Sequence, residues 1–281
     1  MRRAPTLETA QYKEVRGLAR GLAILRALNG MAGGIGAVVE IARATNVHRT
    51  TVKRLLETLK AEGLVHHKDD GNVYALTFEV RRLSEGYVGS DWVDEVAAPA
   101  MKAHLHALSW PSDLATPDSG FMIVRESTHR SSMLSQHRAT IGFRIPMLVS
   151  SLGRAWLAYC SDEERDATMA TLRARTDDIG EMARNECLVK KILSETRKRG
   201  YGTNTGEWLR EASVTAIGFP ILDGHRALGA INLVLVRDLV PPKEIKSRYV
   251  PLLRALARQI SQEITRQRPS HLVADPRRPE R

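Results

Sequence analysis

A chain of 281 residues, 43% apolar and carrying a formal net charge of +10, is long enough for one large domain or two ordinary ones around a sizeable core. Its two cysteines, Cys160 and Cys187, offer neither a disulfide framework nor a CxxC metal spacing, and no run of about 18 apolar residues offers a membrane span. The opening MRRAPTLETAQYKEVRG starts with two adjacent arginines, Arg2 and Arg3, with no apolar stretch behind them, so no secretory signal is expected, a cytoplasmic location fits, and the positive charge favours a polyanionic partner.

In chain order, Val15 to Leu28 predicts a helix, with Leu18, Leu22, Leu25 and Leu28 at helical spacing. NGMAGGIG, residues 29–36, reads as a glycine-rich break. Ala37 to Ala44 predicts a short second helix with Val38, Ile41 and Ala42 inward, ended by Thr45-Asn46. A third helix is expected from about Arg49 to Ala61, its apolar stripe being Val52, Leu55, Leu56 and Leu59, with Glu62-Gly63 as its stop. Two short strands, LVHHK and VYALT, follow around the turn composition DDGN.

Helix, helix, turn, helix, hairpin is the order of a winged helix-turn-helix, assigned here to residues 15–77. In that arrangement the second helix of the motif enters the major groove with its N-terminal residues facing base edges. The local charge agrees: residues 43–68 hold 6 Lys/Arg against 2 acids, and three histidines besides. With the apolar stripe turned inward, Arg49, Thr50, Thr51, Lys53 and Arg54 lie near the exposed start of the helix, flanked by Arg43 and His48. Arginine can bridge guanine O6 and N7, threonine can reach base or phosphate, and lysine neutralises phosphate. His66, His67 and Lys68 begin the wing, which would follow the DNA backbone or minor groove.

Phe78 to Leu108 is expected to be mostly helical, interrupted at Pro99, with residues 78–90 as a helical linker. From about residue 120, strands (FMIVRES, VTAIGFPIL, ALGAINLVLV) mix with helices (LGRAWLAYC, VKKILSETRKRG, RYVPLLRALARQISQEITRQ), an α+β pattern. The second domain is placed at residues 91–266. The Pro- and Arg-rich residues 267–281 read as a disordered tail.

VRGLARGLAILRAL, EIARATNVHRTTVKRLLETLKAEGLV and YALTFEVRRLSEG resemble the N-terminal domain of IclR-type transcription regulators. SSLGRAWLAYC and RGYGTNTGEW…VTAIGFPILDGHRALGAINLV resemble the effector domain of that family. The similarity spans about residues 15–265. HRTTV, KRLLETL, RRLSEG, WPSDLAT, VRESTHR and the block His137–Pro146 resemble most the branch that activates operons for degrading phenylpropionate and 3-hydroxyphenylpropionate. The resemblance implies a GAF-like effector-binding domain, a curved antiparallel sheet with helices, holding a small-molecule pocket and making the oligomer contacts.

That resemblance implies pocket contacts at His137, Ile145, Ser150, Ser151, Asn204, Thr215 and Asn232. The residues themselves agree: SSLG precedes a helix, and the N–H groups and hydroxyls of a helix N-terminus favour a carboxylate. Arg138 and Arg144 are candidates for a bidentate partner, and Trp208 or Phe121 for the cover of an aromatic ring. Ser150 and Ser151 read equally well as helix caps, and Arg144 as a surface charge. Trp156, spaced with Leu152 and Tyr159, reads as core.

Other signals are set aside. GGIG at Gly33–Gly36 has no strand before it and lacks the third glycine of a dinucleotide loop. His104 and His106 point to different helix faces, so no metal pair is expected. No GxSxG elbow occurs, and Cys160, ending an apolar helix, reads as buried. The expectation is a one-component regulator, not an enzyme, with no cofactor. Its expected partners are a pseudo-palindromic double-stranded DNA operator, a small organic acid of aromatic type, a second copy or three more, and RNA polymerase if it activates. The alternatives are an IclR-type regulator of a non-aromatic acid pathway, an aromatic-acid-binding enzyme or carrier, and a nucleoid-type DNA binder with no ligand.

Overall fold

The computed structural model describes residues 14–68, 72–86, 92–135, 140–207 and 213–267, and the chain divides after residue 88 into two compact units. In the first, helix α1 (Arg16–Gly30) is followed by strand β1 (Ile35–Ala37), helix α2 (Val38–Thr45) and helix α3 (Arg49–Ala61). Strands β2 (Val65–His67) and β3 (Val73–Leu76) follow. The sheet order is β1-β3-β2, antiparallel throughout. Ile24, Leu28, Val38, Ile41, Val52, Leu56, Val65 and Tyr74 form its core.

Two expectations change here. Leu18 and Leu22 are exposed, because only the last turns of α1, through Ile24 and Leu28, pack on α2 and α3. The glycine-rich break holds β1, a three-residue strand that pairs Ile35 to Ala75 and Ala37 to Val73; with a glycine at its centre it shows no apolar alternation. Helix α2 starts where Glu40 accepts the Ala37 N–H at 2.9 Å, the return half of a capping box. It ends at Asn46 in the left-handed region, which asparagine tolerates better than most residues. Residues 69–71 of the expected hairpin turn lie outside the described residues, as do residues 268–281 of the expected tail. Of the expected linker helix, residues 78–90, the described part holds one turn, α4 (Glu79–Arg82), and residues 87–90 lie outside the described residues.

The second unit opens with a π turn over Val93–Ala97 running into helix α5 (Ala98–Leu108). The expected interruption at Pro99 takes the form of this π turn: the chain stays helical from Trp92 to Leu108, and the regular α-helix begins only at Ala98. Strands β4 (Asp113–Asp118), β5 (Phe121–Ser127) and β6 (Arg144–Pro146) follow, then helices α6 (Ser151–Tyr159), α7 (Asp162–Arg173), α8 (Asp178–Arg184) and α9 (Glu186–Arg199). Strands β7 (Gly202–Asn204), β8 (Val214–Asp223) and β9 (Arg226–Val236) lead to the single turn α10 (Pro242–Glu244) and the long α11 (Val250–Gln267).

The six strands form one curled antiparallel sheet, ordered β6-β5-β4-β9-β8-β7. One face packs on α5 and α11 through Leu114, Ile217, Phe219, Ile231, Leu233 and Leu235. The other packs on α6 and its neighbours through Ala115, Met122, Val124 and Ala230. Covering both faces explains why β8 and β9 read as nearly unbroken apolar runs, since neither alternate set of side chains meets water. The fold is α+β: a winged helix-turn-helix and a helix-covered curled sheet. Trp156 is core, its indole N–H donating to the Ala227 carbonyl at 3.0 Å.

Candidate nucleic-acid interface and ligand cavity

Helix α3 sets the first candidate surface. His48 caps it: Nδ1 accepts the Thr50 hydroxyl at 2.9 Å and the Thr50 N–H at 3.4 Å. His48 and Thr50 are thus engaged with each other. Arg43, Arg49 and Arg54 are exposed and have no acidic partner among the described residues; Thr51 is half-buried.

Lys53 differs from the free phosphate contact expected of it. Its ammonium lies 5.0 Å from the Tyr74 ring centre and 3.6 Å from Glu57. Glu57 also holds Lys60 at 3.7 Å and accepts the Tyr74 hydroxyl. The Tyr74 hydroxyl and Glu57 lift the Lys53 pKa; the same hydroxyl, with both lysines, lowers that of Glu57. The lysine therefore clamps α3 to the wing strand. In the wing, His66 and Lys68 are exposed, but His67 packs edge-on against Tyr74 with ring centres 4.9 Å apart. Neighbouring strand residues face opposite ways, so His67 is turned inward and is not a free wing contact. What remains is a set of unpaired guanidiniums with His66 and Lys68 at its edge, suited to phosphate oxygens and guanine edges.

The second site is a small cavity of about 50 Å³ on the α6 side of the curled sheet. Its position follows from glycine. Gly202 and Gly218 face each other across β7 and β8. A β-carbon on either would come within 2.3 and 2.7 Å, respectively, of the Ser151 carbonyl oxygen. Their lack of side chains lets the first turn of α6 lie directly on the sheet. Ser150 caps that turn, accepting the Gly153 N–H at 3.1 Å and donating to the Pro146 carbonyl at 2.7 Å. Asn204 donates to the Val149 carbonyl at 2.6 Å, and Arg154 to the carbonyls of Leu148 at 2.8 Å and Thr203 at 2.6 Å. The segment before α6 is thereby fixed from both sides.

Ser151 has a different role from Ser150. Its hydroxyl is buried, 1% of the residue being exposed, lines the cavity and has no hydrogen-bond partner among the described residues. The backbone N–H groups of Ser151 and Leu152 open the helix, where no intrahelical acceptor exists. Nearby, Asn232 spends its side-chain oxygen on the Asp113 N–H at 2.8 Å, leaving its amide N–H groups without a partner among the described residues. An unsatisfied buried polar atom is unusual. On one cavity wall the Ser151 hydroxyl, buried without a partner among the described residues, sits beside the helix N–H groups, the arrangement an anion would satisfy.

The other wall is acidic. Asp113 and His129, both buried, lie with Oδ2 and Nε2 3.3 Å apart. The Thr140 hydroxyl is 2.9 Å from the second Asp113 oxygen, and His129 Nδ1 is 2.6 Å from the Ser135 hydroxyl. Phe143, Ile145, Leu152, Val214, Ala216 and Val234 complete the lining with apolar surface.

Of the expected pocket residues, Ile145, Ser150, Ser151, Asn204 and Asn232 line this cavity. Arg144 does not: strand alternation turns it outward when Ile145 turns in, and it pairs with Asp118 at 3.4 Å while stacking on Phe121. Phe121, sandwiched between Arg144 and Arg175, does not line this cavity either. Thr215 lies on the opposite sheet face from Val214 and Ala216, donating to the Asn204 carbonyl at 2.9 Å. His137, Arg138 and Trp208 lie outside the described residues. Sequence reasoning did not place Asp113, His129, Thr140 and Phe143 in the cavity. A metal is not indicated: among the described residues no three His, Cys, Asp or Glu side chains gather suitably. Cys160 is buried, which pushes its thiol up to about 11, and no described helix is long and apolar enough to cross a membrane.

Comparison with known proteins bears on both units. The IclR helix-turn-helix domain matches residues 17–69, and the domain described as bacterial transcriptional regulator IclR C-terminal matches residues 86–262. A p-hydroxybenzoate hydroxylase transcriptional activator of Acinetobacter baylyi is 24% identical over 259 residues, covering 90% of this chain and 93% of its own. The crystal structure of the Thermotoga maritima IclR superposes with a TM-score of 0.62 at 18% identity, over 90% of this chain and all of that one. An IclR homologue of Microbacterium hydrocarbonoxydans, solved with 4-hydroxybenzoate, gives a TM-score of 0.57 at 20% identity, over 89% and 99%.

Proposed function

The chain belongs to the IclR family of bacterial DNA-binding transcription regulators, and from that premise we propose that it senses a small aromatic carboxylic acid and controls an operon for aromatic catabolism. The observation that carries the proposal is the buried Ser151 hydroxyl, without a partner among the described residues, at the open start of α6 in a partly apolar cavity. A carboxylate on that wall satisfies the hydroxyl and the free N–H groups together, and the apolar lining suits a ring. Two relatives support the choice of acid: one named for control of p-hydroxybenzoate hydroxylase, one solved with 4-hydroxybenzoate. Within the family we place the chain with regulators of phenylpropionate-type degradation, on the sequence stretches quoted above.

The proposed DNA contacts are Arg49 and Arg54 in the major groove, with Arg43, His66 and Lys68 on the backbone. One winged helix reads few bases. As a homodimer, or a pair of dimers, the protein presents two such helices about 34 Å apart to a pseudo-palindrome. Effector binding shifts the population between arrangements that fit the operator differently. The test is fluorescence anisotropy with DNA from upstream of its own gene, titrated with salt and with aromatic acids. We expect binding tighter than to unrelated DNA, a steep loss with salt from counterion release, and a change in affinity or stoichiometry with one acid. Equal binding to unrelated DNA would overturn the proposal.

A further inference from the structure

The cavity is polarised, and its two ends differ in chemistry. The donor end is the Ser151 hydroxyl with the N–H groups at the start of α6; the Asn232 amide lies between the two ends, its side-chain oxygen on the Asp113 N–H. The acceptor end is the Asp113 carboxylate with His129 beside it. Each Asp113 oxygen has one neighbour, Thr140 or His129. A carboxylate offers about four acceptor positions, so it retains capacity to accept from a ligand. With His129 neutral it is also a poor neighbour for a second anion, since like charges in a buried site are costly.

The separation of the ends can be read from the sheet. Gly218 lies beneath Ser151 and pairs with Asn232 across β8 and β9. Asp113 lies one step beyond the Leu114–Ile231 pair of β4 and β9, where its N–H meets Asn232. The acid is therefore two strands from the glycine seat, about 10 Å at the usual strand spacing. A benzene ring with a carboxylate arm on one side and a hydroxyl on the other spans such a gap, with hydrogen bonds at both ends.

We infer that Asp113, positioned with His129, reads a hydroxyl on the far side of the effector's ring, so that the protein responds to hydroxylated aromatic acids in preference to the bare ring acids. The inference rests on the effector reading above and sharpens it. A hydroxyl donor meets the acid with a charge-assisted hydrogen bond. A bare ring leaves Asp113 desolvated with that position unfilled, and a second carboxylate at that end meets charge of its own sign. Sites built to hydrogen-bond a hydroxyl discriminate against its absence more strongly than apolar pockets discriminate by size.

The test is titration calorimetry of the full chain with matched pairs: benzoate and 4-hydroxybenzoate, 3-phenylpropionate and 3-(3-hydroxyphenyl)propionate, and with terephthalate as the diacid. At least one hydroxylated acid should bind about tenfold or more tighter than its bare partner, which corresponds to one net hydrogen bond to a charged group, and terephthalate should bind more weakly than 4-hydroxybenzoate. In Asp113→Asn the preference for the hydroxyl should fall several-fold with affinity for the bare acid little changed, whereas Ser151→Ala should weaken both members of a pair alike. Equal affinities within both pairs in the wild-type chain would overturn the inference and leave the effector reading standing, and would do so even if Asp113→Asn failed to fold. Absence of binding by every acid would overturn the effector reading and this inference with it.

Discussion

Gly218 and Ser151 meet backbone to backbone: a β-carbon on Gly218 would lie 2.7 Å from the Ser151 carbonyl oxygen and 3.3 Å from the Leu152 nitrogen. That contact sets the height of α6 above the sheet, and with it the place of the free hydroxyl and N–H groups in the cavity. Gly218→Ala should therefore act on both stability and ligand binding. Overpacking a well-fitted interior costs about 1–3 kcal/mol, and the backbone contact here cannot yield by a side-chain rotation. Denaturant unfolding should show a loss at or above the top of that range, together with loss of acid binding. An unchanged midpoint would mean that α6 does not rest on the glycine pair.

The recognition surface predicts an ordering among its cations. Arg49→Ala and Arg54→Ala should each weaken operator binding by about 1–3 kcal/mol without lowering the melting temperature, because both are exposed and unpaired among the described residues. Lys53→Ala should change DNA affinity less and stability more, since Lys53 is engaged with Glu57 and Tyr74. Gel-shift titrations beside thermal unfolding of the three variants decide the matter. A larger DNA effect at Lys53 than at either arginine would reverse the assignment.

The two cysteines should separate cleanly toward a thiol reagent. Burial holds Cys160 as the neutral thiol with a pKa of about 11, while Cys187 is exposed. At pH 8 one thiol should react quickly with an aromatic disulfide and the second only after unfolding, because the thiolate is the reacting form. Two fast thiols in the native protein would show that the α6 terminus opens readily.

Asp177 predicts an acid-sensitive element. It caps α8 by accepting the Gly180 N–H at 3.1 Å, and its pairing with Arg175 lowers its pKa from 3.8 to about 2. A carboxyl whose pKa is lower in the folded state stabilises above the unfolded value, and that contribution is lost as pH falls through the folded one. The melting-temperature difference between wild type and Asp177→Asn should thus be present at pH 6 and shrink between about pH 4 and pH 2. A difference constant across that range would assign the effect to something other than the charge.

What the sequence disclosed follows from the length of each signal. Helix α3 and its stripe were legible because thirteen residues sustain one period, β8 and β9 because both sheet faces are covered there and the runs are apolar, and β5 because it opens on four apolar residues, Phe121 to Val124. β4 was hidden: DLATPD is broken by Pro117 and has an aspartate at each end, yet it pairs Asp113 with Ser127 across a hairpin turned at Ser119 and Gly120. Reading Asp118-Ser119-Gly120 as a turn would have brought Asp113 opposite the end of β5, beside His129. Arg144 and Thr215 were misplaced for a simpler reason. Which of two alternate faces a strand turns to a cavity depends on register, and register is a property of the paired strands.

The Ser151 hydroxyl is the group on which effector binding turns. Thermal unfolding of the wild-type chain and of Ser151→Ala should be compared across a panel of aromatic acids, each at saturating concentration. A ligand at 100 times its dissociation constant stabilises the native state by about 2.7 kcal/mol, a shift well within reach of measurement. The account predicts a selective rise for one or a few acids in the wild-type chain and a much smaller rise in the variant. No rise with any acid, or an equal rise in both proteins, would contradict it.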